Sequence, residues 1–538
     1  MTNSGKLPVK KFENLMTNSN ALAGNNSERK LLWFVILSVF LIYLLYPTKN
    51  FYWDGIYFSQ VIEDAGGLNV SLLHPNHLFY NVIGYVVYQT THIFGWQVRA
   101  VYVLEFISSA FGAASAAVFF FILKRSLETT YLSLTLTALF AFSATWWKFS
   151  TDADAYIPSI FFLLVAFYLL LPNQPPRPLL IALAHSSAMF LHELAVLFFP
   201  VAVLGIALQT VSLERRRRIT FVLQYALTAF SLTFGTFCLC FYLLTGSFNL
   251  KNFLSWLTSY SPDIGFTLDL WKNLVLTLRG SFRLFFDGRF NFLELNLLNI
   301  LLLIFLGAAL IALIIKVAGS MNNVKEIWKT AARREFYRSP LTLLCAVWIS
   351  TYLIFLFFFI PGNTFYRLFY FPALVLLFGK LLISSEVLRN ETRQWRAALL
   401  IVVVALSNFL FFIRPFSQVR KNTPLWLALE ANRIWSDKTI VYYKTLNSDN
   451  MLVRYFNPTT VWKPLESTIG ENSEMRLQII SNGGASVWLE TSAIDLLMSS
   501  AQTAEWLEEQ FDKQIQMELT DPAYKLKFVR IVPQSSGN

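Results

Sequence analysis

The sequence predicts an all-α polytopic membrane protein of about eleven transmembrane helices, followed by a small soluble α/β domain. Of the 538 residues, 55% are hydrophobic and only 14% are charged. A soluble protein of this size carries about 25% charged residues. Many apolar runs approach the length of about twenty residues that a helix needs to cross a bilayer. These observations favour a membrane protein over any soluble fold class.

The chain divides into three predicted parts. Residues 1–30 are rich in Asn and Ser and are expected to form a disordered tail. Residues 31–413 contain the apolar runs and form the predicted transmembrane part. Residues 414–538 are more polar and contain Gly-Gly, Asn-Pro and Asp-Pro turn signals between strand-like and helix-like segments. They are therefore predicted to form the α/β domain.

One apolar stretch, residues 76–94, is excluded from the predicted spans. It alternates apolar and polar positions, which is typical of a helix that lies at the membrane interface. The short spans 156–171, 179–191 and 194–210 are expected to be tilted or broken helices that line a cavity. The eleven spans are residues 31–46, 100–123, 130–147, 156–171, 179–191, 194–210, 219–245, 294–317, 341–360, 365–383 and 397–413.

Basic residues set the predicted orientation. With 76–94 outside the membrane core, Lys and Arg concentrate in segments on one side, among them the N-terminal tail and Arg215–Arg218. The sequence therefore predicts a multi-pass protein of the bacterial inner (plasma) membrane, with a cytoplasmic N-terminus and an extracytoplasmic C-terminal domain. These loops also explain the net charge of +11, and no basic, aromatic-rich module indicates a nucleic-acid partner.

The most informative stretch is Phe51–Gly55 together with His74–Tyr80. Asp54 follows the first apolar run directly and has aromatic neighbours. An acidic residue beside a membrane span is costly unless it is used or satisfied. The alternative interpretation is an interfacial aromatic belt with one solvated Asp.

The pairing of Asp54 with a His-Pro-led helix resembles the GT-C class of membrane glycosyltransferases, in particular the protein-mannosyltransferase and lipid A aminoarabinose-transferase branch. The resemblance covers about residues 30–415. The sequence His-Pro-Asn-His at 74–77 departs from the commoner His-Pro-Pro-Leu of the class. The resemblance implies sugar transfer from a polyprenyl-phosphate carrier to a lipid, glycan or protein acceptor, with Asp54 as the catalytic base.

Several other polar residues fall on the outer side of the predicted topology and are candidates for substrate binding. Asp154 with Tyr156 is similar to the acidic-x-Tyr element of the class. This element is interpreted as a contact to a substrate hydroxyl or as a metal ligand, and a solvated turn is the alternative. The substrate-binding candidates are His74, His77, Lys148, Asp152, Asp154, Tyr156, His192, Glu193 and Arg367.

Metal and phosphate binding rest on different residues. His185 and His192 are two helical turns apart and therefore share one face of a helix. Together with Glu193 they could bind a divalent metal, although no cofactor is firmly predicted. The three cysteines form no CxxC pair and indicate neither a disulfide framework nor a zinc site. Arg367 is the first candidate for phosphate recognition, because arginine binds phosphate bidentately. Weaker candidates are Lys148, Arg279, Arg283 and Arg289.

The implied reaction is a hexosyl or pentosyl transfer by a single, inverting displacement, because one base suffices for it. The rival function is a secondary transporter or lipid flippase. That function predicts repeated halves and matching Gly/Pro-interrupted spans, and the sequence contains neither. A non-catalytic assembly protein is the third interpretation, and it requires Asp54 to be dispensable.

Overall fold

The structure, a computed structural model, describes residues 26–172, 174–259, 266–287, 336–384, 391–465, 486–511, 516–518 and 526–531, with isolated residues at 479 and between 297 and 315. Most of these residues are helical. The longer helices are α1 (Asn26–Leu45), α2 (Trp53–Asp64), α3 (Tyr80–Ile93), α4 (Ala100–Leu127), α5 (Thr130–Ala141), α6 (Ala144–Ser150), α7 (Tyr156–Leu169), α8 (Pro178–Leu191), α9 (Phe199–Gln209), α10 (Arg215–Thr245), α11 (Leu250–Thr258), α12 (Leu270–Phe285), α13 (Pro340–Phe359), α14 (Phe371–Ser384), α15 (Glu391–Asn408), α16 (Thr423–Ile434), α17 (Ser448–Phe456), α18 (Thr491–Met498) and α19 (Ala501–Phe511). The strands are β1 (Thr439–Tyr443), β2 (Val461–Pro464), β3 (Ser486–Glu490), β4 (Gln516–Glu518) and β5 (Lys527–Ile531).

Four helices in these ranges are long and apolar enough to cross a membrane. They are α4, α10, α13 and the run Gln394–Phe416, which continues α15 through a π-helical turn at Phe409–Ile413. Six shorter apolar helices accompany them. The predicted span 294–317 falls largely outside the described residues, so the number of eleven spans stays a prediction.

Three predicted spans are interrupted. The span 130–147 divides into α5 and α6 at Ser143, whose backbone is extended and whose hydroxyl donates to the Leu139 carbonyl. The spans 194–210 and 365–383 each begin with a 3-10 turn, at Glu193–Phe198 and Tyr366–Phe369. Interrupted helices occur within a membrane only where protein covers the freed backbone groups. These interruptions therefore bring polar residues into the interior of the helix bundle.

The segment between α1 and α4 folds into two helices on the bundle. The predicted helix at 76–94 is present as a 3-10 turn, Pro75–His77, followed by α3. Helix α2 was not predicted, and it contains Asp54 in its first turn. Burial of Phe58, Ser59 and Ile62 on one face of α2 explains why it is helical here.

The C-terminal segment, residues 423–531, contains a five-stranded sheet of order β2-β1-β3-β5-β4. Strand β1 pairs in parallel with β2 and β3, whereas β5 runs antiparallel to β3 and β4. The sequence predicts strands at Thr439–Tyr443, Thr460–Lys463, Ser486–Glu490 and Lys525–Ile531, and β1, β2, β3 and β5 lie within two residues of these bounds. Strand β4 and helix α16 were not predicted.

One hydrophobic core joins the C-terminal segment to the outer helices. Leu425 and Ala428 of α16 and Val453 of α17 belong to the same buried cluster as Ile56 of α2 and Leu104 of α4. The boundary predicted at residue 414 is therefore crossed by a continuous core, and an independent C-terminal domain stays a prediction.

Candidate active site

The first turn of α2, which carries Asp54, rests directly on the turn 151–155 between α6 and α7. A Cβ atom at Gly55 would lie 2.3 Å from the Ala153 carbonyl oxygen. Only glycine permits such a close approach of helix to backbone. The dipeptide Asp54-Gly55 therefore determines where the Asp54 carboxylate lies.

Asp152 and Lys148 form a buried ion pair beside Asp54. Lys148 Nζ lies 2.5 Å from Asp152 Oδ2 and donates to the Asn50 carbonyl at 2.7 Å. The same carboxylate oxygen accepts the backbone N–H of Tyr52 at 3.3 Å. The pair thus attaches α6 to the segment that leads into α2.

Asp54 and Asp154 lie next to this ion pair in different surroundings. Asp54 is partly exposed, and burial followed by the charge of Asp152 raises its pKa to about 7. Asp154 is fully buried, and within the described ranges neither of its carboxylate oxygens receives a well-formed hydrogen bond. Burial, then the charges of Asp54 and Asp152, raise the pKa of Asp154 well above its usual range, although the N–H groups of Ala155 and Tyr156 oppose this. Asp54 is therefore suited to accept a proton near neutral pH, whereas burial disfavours the charged form of Asp154.

Three buried histidines gather beside these carboxylates. The rings of His74 and His77 stack with centroids 5.6 Å apart, and His192 lies 4.7 Å from His77. His77 Nδ1 is 3.0 Å from the Leu191 carbonyl oxygen, so that nitrogen carries the proton in the neutral ring. His192 Nδ1 instead accepts the N–H of Leu194 at 3.1 Å, which leaves the proton on Nε2.

The histidines are neutral at physiological pH. Burial, then the neighbouring His77, lowers the pKa of His74 to about 3. Burial lowers the pKa of His77 to about 4, and burial with the two other rings lowers the pKa of His192 well below its usual value. These rings can therefore donate or accept hydrogen bonds, but they supply no positive charge for a phosphate.

Tyr156 connects the histidines to an aromatic wall. Its ring lies 4.9 Å from His192, stacks on Phe365 at 5.0 Å, and lies 5.7 Å from Tyr366. Phe365 in turn contacts Tyr52 at 5.1 Å. Tyr52, Phe365 and Tyr366 were not predicted as site residues. Their proximity in sequence to Asp54 and Arg367 was the only signal for them.

A polar pocket of about 280 Å³ lies against this wall. Lys148 and Arg283 supply its cationic groups, and Arg283 pairs with Asp287 at 2.5 Å. Arg283, a weaker candidate from the sequence, thus joins Lys148 at one pocket. The lining residues are Asn50, Phe51, Tyr52, Thr145, Lys148, Phe149, Arg283, Asp287, Gly362, Asn363, Thr364, Phe365, Phe412 and Phe416.

Arg367 does not line the polar pocket. Its side chain is fully buried, and it donates to the Tyr370 hydroxyl at 2.9 Å and to the Pro361 carbonyl at 2.5 Å. A Cβ atom at Gly280 would lie 2.6 Å from Arg367 Nε, so α12 packs closely on the guanidinium. Arg367 therefore braces α12 against the turn that carries Phe365 and Tyr366.

An apolar groove of about 440 Å³ opens between α8, α10 and α11. Glu193 is its carboxylate. Glu193 begins the 3-10 turn that directly follows His192 of the site. The lining residues are His185, Met189, Glu193, Val196, Phe199, Ala226, Ala229, Phe230, Thr233, Phe234, Phe237, Phe253, Leu257 and Thr258.

The metal interpretation finds no support in the described ranges. His185 Nδ1 lies 2.7 Å from the Tyr225 hydroxyl and Nε2 lies 2.8 Å from the Ala195 carbonyl, so both ring nitrogens are already bonded. Among the residues described, no group of three or more His, Cys, Asp or Glu is arranged to hold a metal ion.

The fold is similar to that of a known membrane protein, although the sequence is distant. The crystal structure of ArnT from Cupriavidus metallidurans bound to undecaprenyl phosphate matches with a TM-score of 0.56 at 10% identity, covering 96% of this chain and 100% of that one. ArnT in the apo state gives a TM-score of 0.47 at 12% identity, covering 95% and 99%. No family model and no curated protein matches the sequence. The chain therefore has a fold similar to that of ArnT, which agrees with the fold that the GT-C resemblance implies.

Proposed function

We propose that the chain is a membrane glycosyltransferase that moves a hexose or pentose from a polyprenyl-phosphate carrier to a lipid, glycan or protein acceptor. The transfer takes place on the outer side of a bacterial inner membrane. The observation that carries this proposal is Asp54, a partly exposed carboxylate whose pKa is about 7, next to the buried Asp154. The ArnT fold supports it, because the matched ArnT structure is bound to undecaprenyl phosphate.

The chemistry follows from the different states of the two acids. Asp54 accepts the proton of the acceptor hydroxyl while that oxygen forms a bond to the anomeric carbon. The bond from that carbon to the carrier's phosphate oxygen breaks, and the phosphate departs with the electron pair. Burial disfavours the ionised, nucleophilic form of Asp154, so we expect a single displacement that inverts the anomeric centre instead of a covalent glycosyl intermediate.

The two pockets suit the two ends of such a donor. Lys148 and Arg283 in the polar pocket can hold the departing phosphate. The apolar groove can hold part of the polyprenyl chain, and Glu193 is the carboxylate among its lining residues. We assign the sugar hydroxyls to Asp154, Tyr156 and the neutral histidines, and we give Arg367 a supporting role behind the wall.

The test uses two aspartates of the same helix. Asp54→Asn keeps the size of the side chain but removes the base, so transfer should fall by about 10²–10⁴-fold. Asp64→Asn is the matched control, because Asp64 is exposed at the last residue of α2. The measurement is transfer of labelled sugar from a polyprenyl-phosphate donor in membranes with matched expression.

If Asp54→Asn transfers sugar at the wild-type rate, the assignment of Asp54 as the catalytic base is refuted. Absence of transfer from any lipid-linked sugar by the wild type, together with substrate-dependent transport in sealed vesicles, would favour the transporter or flippase instead.

A further inference from the structure

The far end of α2 is held by three side chains from three parts of the chain: Glu63, Arg99 and Tyr455. Glu63 accepts Arg99 Nε at 3.0 Å, the backbone N–H of Ala100 at 2.7 Å and the Tyr455 hydroxyl at 2.6 Å. The contact to Ala100 caps the first turn of α4. We call Glu63, Arg99 and Tyr455 the clasp.

Tyr455 takes part in the clasp through its hydroxyl, its ring and its backbone. The hydroxyl donates to Glu63 and accepts the N–H of Val101 at 3.2 Å. The Arg99 guanidinium lies 4.0 Å from the centre of the Tyr455 ring and donates to the Tyr455 carbonyl at 2.6 Å. Charge-assisted hydrogen bonds such as these are the stronger ones in proteins. The clasp therefore fixes α17 of the C-terminal segment to both α2 and α4.

Helix α2 connects the clasp to the candidate base. Asp54 is in its first turn and Glu63 is in its last, and nine residues of α-helix span about 14 Å. The first turn has its own stop, the contact of Gly55 with the Ala153 carbonyl. These two contacts hold α2 at both ends and so fix the position of the Asp54 carboxylate. Loss of the contact at Glu63 would allow α2 to tilt and that carboxylate to move.

We propose that Tyr455 is a positioning residue for the transfer reaction: through Glu63 it holds α2, and so Asp54, at the distance that proton removal requires. This proposal rests on the proposed function of Asp54. The C-terminal segment thereby becomes part of the catalytic apparatus, although none of its described residues lines either pocket.

The test replaces the hydroxyl alone. Tyr455→Phe keeps the stacking on Arg99 and removes the bonds to Glu63 and Val101. Misplacement of a catalytic group by about 1 Å costs up to about 100-fold in rate, so kcat should fall by about ten- to 100-fold while the KM for the donor is unchanged. Tyr443→Phe in β1 is the matched control, because Tyr443 is a half-buried tyrosine of the same segment.

A second measurement does not depend on activity. Hydrogen–deuterium exchange of the α2 amides, residues 53–64, should increase in Tyr455→Phe and remain at the wild-type level in Tyr443→Phe. Glu63→Gln should reproduce the loss of kcat and the increased exchange. It serves as the second test if Tyr455→Phe folds poorly. The double variant that combines Tyr455→Phe with Glu63→Gln should lose no more kcat than the less active of the two single variants, because both substitutions break the same link.

The outcomes separate this proposal from the proposed function. If the wild type transfers no sugar, the glycosyltransferase assignment is overturned, and with it the catalytic role of the clasp, even where Tyr455→Phe increases exchange in α2. An active wild type whose Tyr455→Phe variant keeps both kcat and α2 exchange would overturn positioning alone. Equal losses of kcat in Tyr455→Phe and Tyr443→Phe would reduce Tyr455 to a general contribution to stability.

Discussion

The transfer rate should depend on pH through Asp54. Burial and the charge of Asp152 raise the pKa of Asp54 from 3.8 to about 7. Only the ionised carboxylate can accept a proton, so a base with this pKa is about 10% active at pH 6 and about 90% active at pH 8. We therefore expect kcat/KM to rise about tenfold between these two pH values.

Replacing Asp152 should move this profile. Asp152→Asn removes a negative charge beside Asp54 and releases Lys148, and both changes favour the ionised form of Asp54. The charge of Asp152 is the second cause, after burial, of the raised pKa of Asp54, so its loss should remove part of that shift. One pKa unit corresponds to about 1.4 kcal/mol of repulsion. The acidic limb should therefore shift to lower pH by about one unit.

The assay is the initial rate of labelled-sugar transfer in proteoliposomes across the pH range, for wild type, Asp152→Asn and the control Asp64→Asn. A wild-type profile that is flat between pH 6 and pH 8 would refute the assignment of the limb to Asp54. A limb that stays in place, or moves to higher pH, in Asp152→Asn would refute the electrostatic argument.

Three further predictions follow from the site and the core. Because its folded pKa is raised, Asp54 contributes stability that is lost as pH rises from 3.8 to about 7, so Asp54→Asn should melt at or above the wild-type temperature at pH 8; a lower value would contradict this. Lys148→Met should raise the donor KM, measured in the transfer assay, because it removes one cation of the polar pocket; an unchanged KM would exclude that role. Reporter fusions at residue 215 and after residue 420 should report opposite sides of the membrane; the same side for both would contradict the predicted topology.

The sequence was most informative where local patterns and tertiary structure agree. The short runs Thr439–Tyr443 and Ser486–Glu490, rich in β-branched and aromatic residues, predicted β1 and β3 at their observed bounds. Asp54 was singled out by its position after the first apolar run, and the structure places it beside Asp152 and Asp154. Charge in an apolar setting is a strong signal because few residues can be there without a reason.

The sequence was least informative where distant contacts determine the structure. Helix α2 has no side-chain cap and carries glycine in its first turn, so its local pattern is that of a loop. Burial of its apolar side chains against α4 and the close approach of Gly55 to Ala153 make α2 helical. Arg367 and Arg283 were similarly ranked by position alone, and packing puts Arg283, not Arg367, at the polar pocket.

The order of synthesis adds a consequence to the position of β5. Residues Lys527–Ile531 leave the ribosome after β3 and β4, yet this strand lies between those two in the sheet. Until it arrives, β3 has an open edge that can pair with other chains. Helix α2, which carries Asp54, is made hundreds of residues earlier, and its hydrophobic core is complete only when α16 and α17 are present. We therefore expect a nascent chain to reach its active shape late, and a chain that stops short of β5 to be a substrate for quality-control proteases.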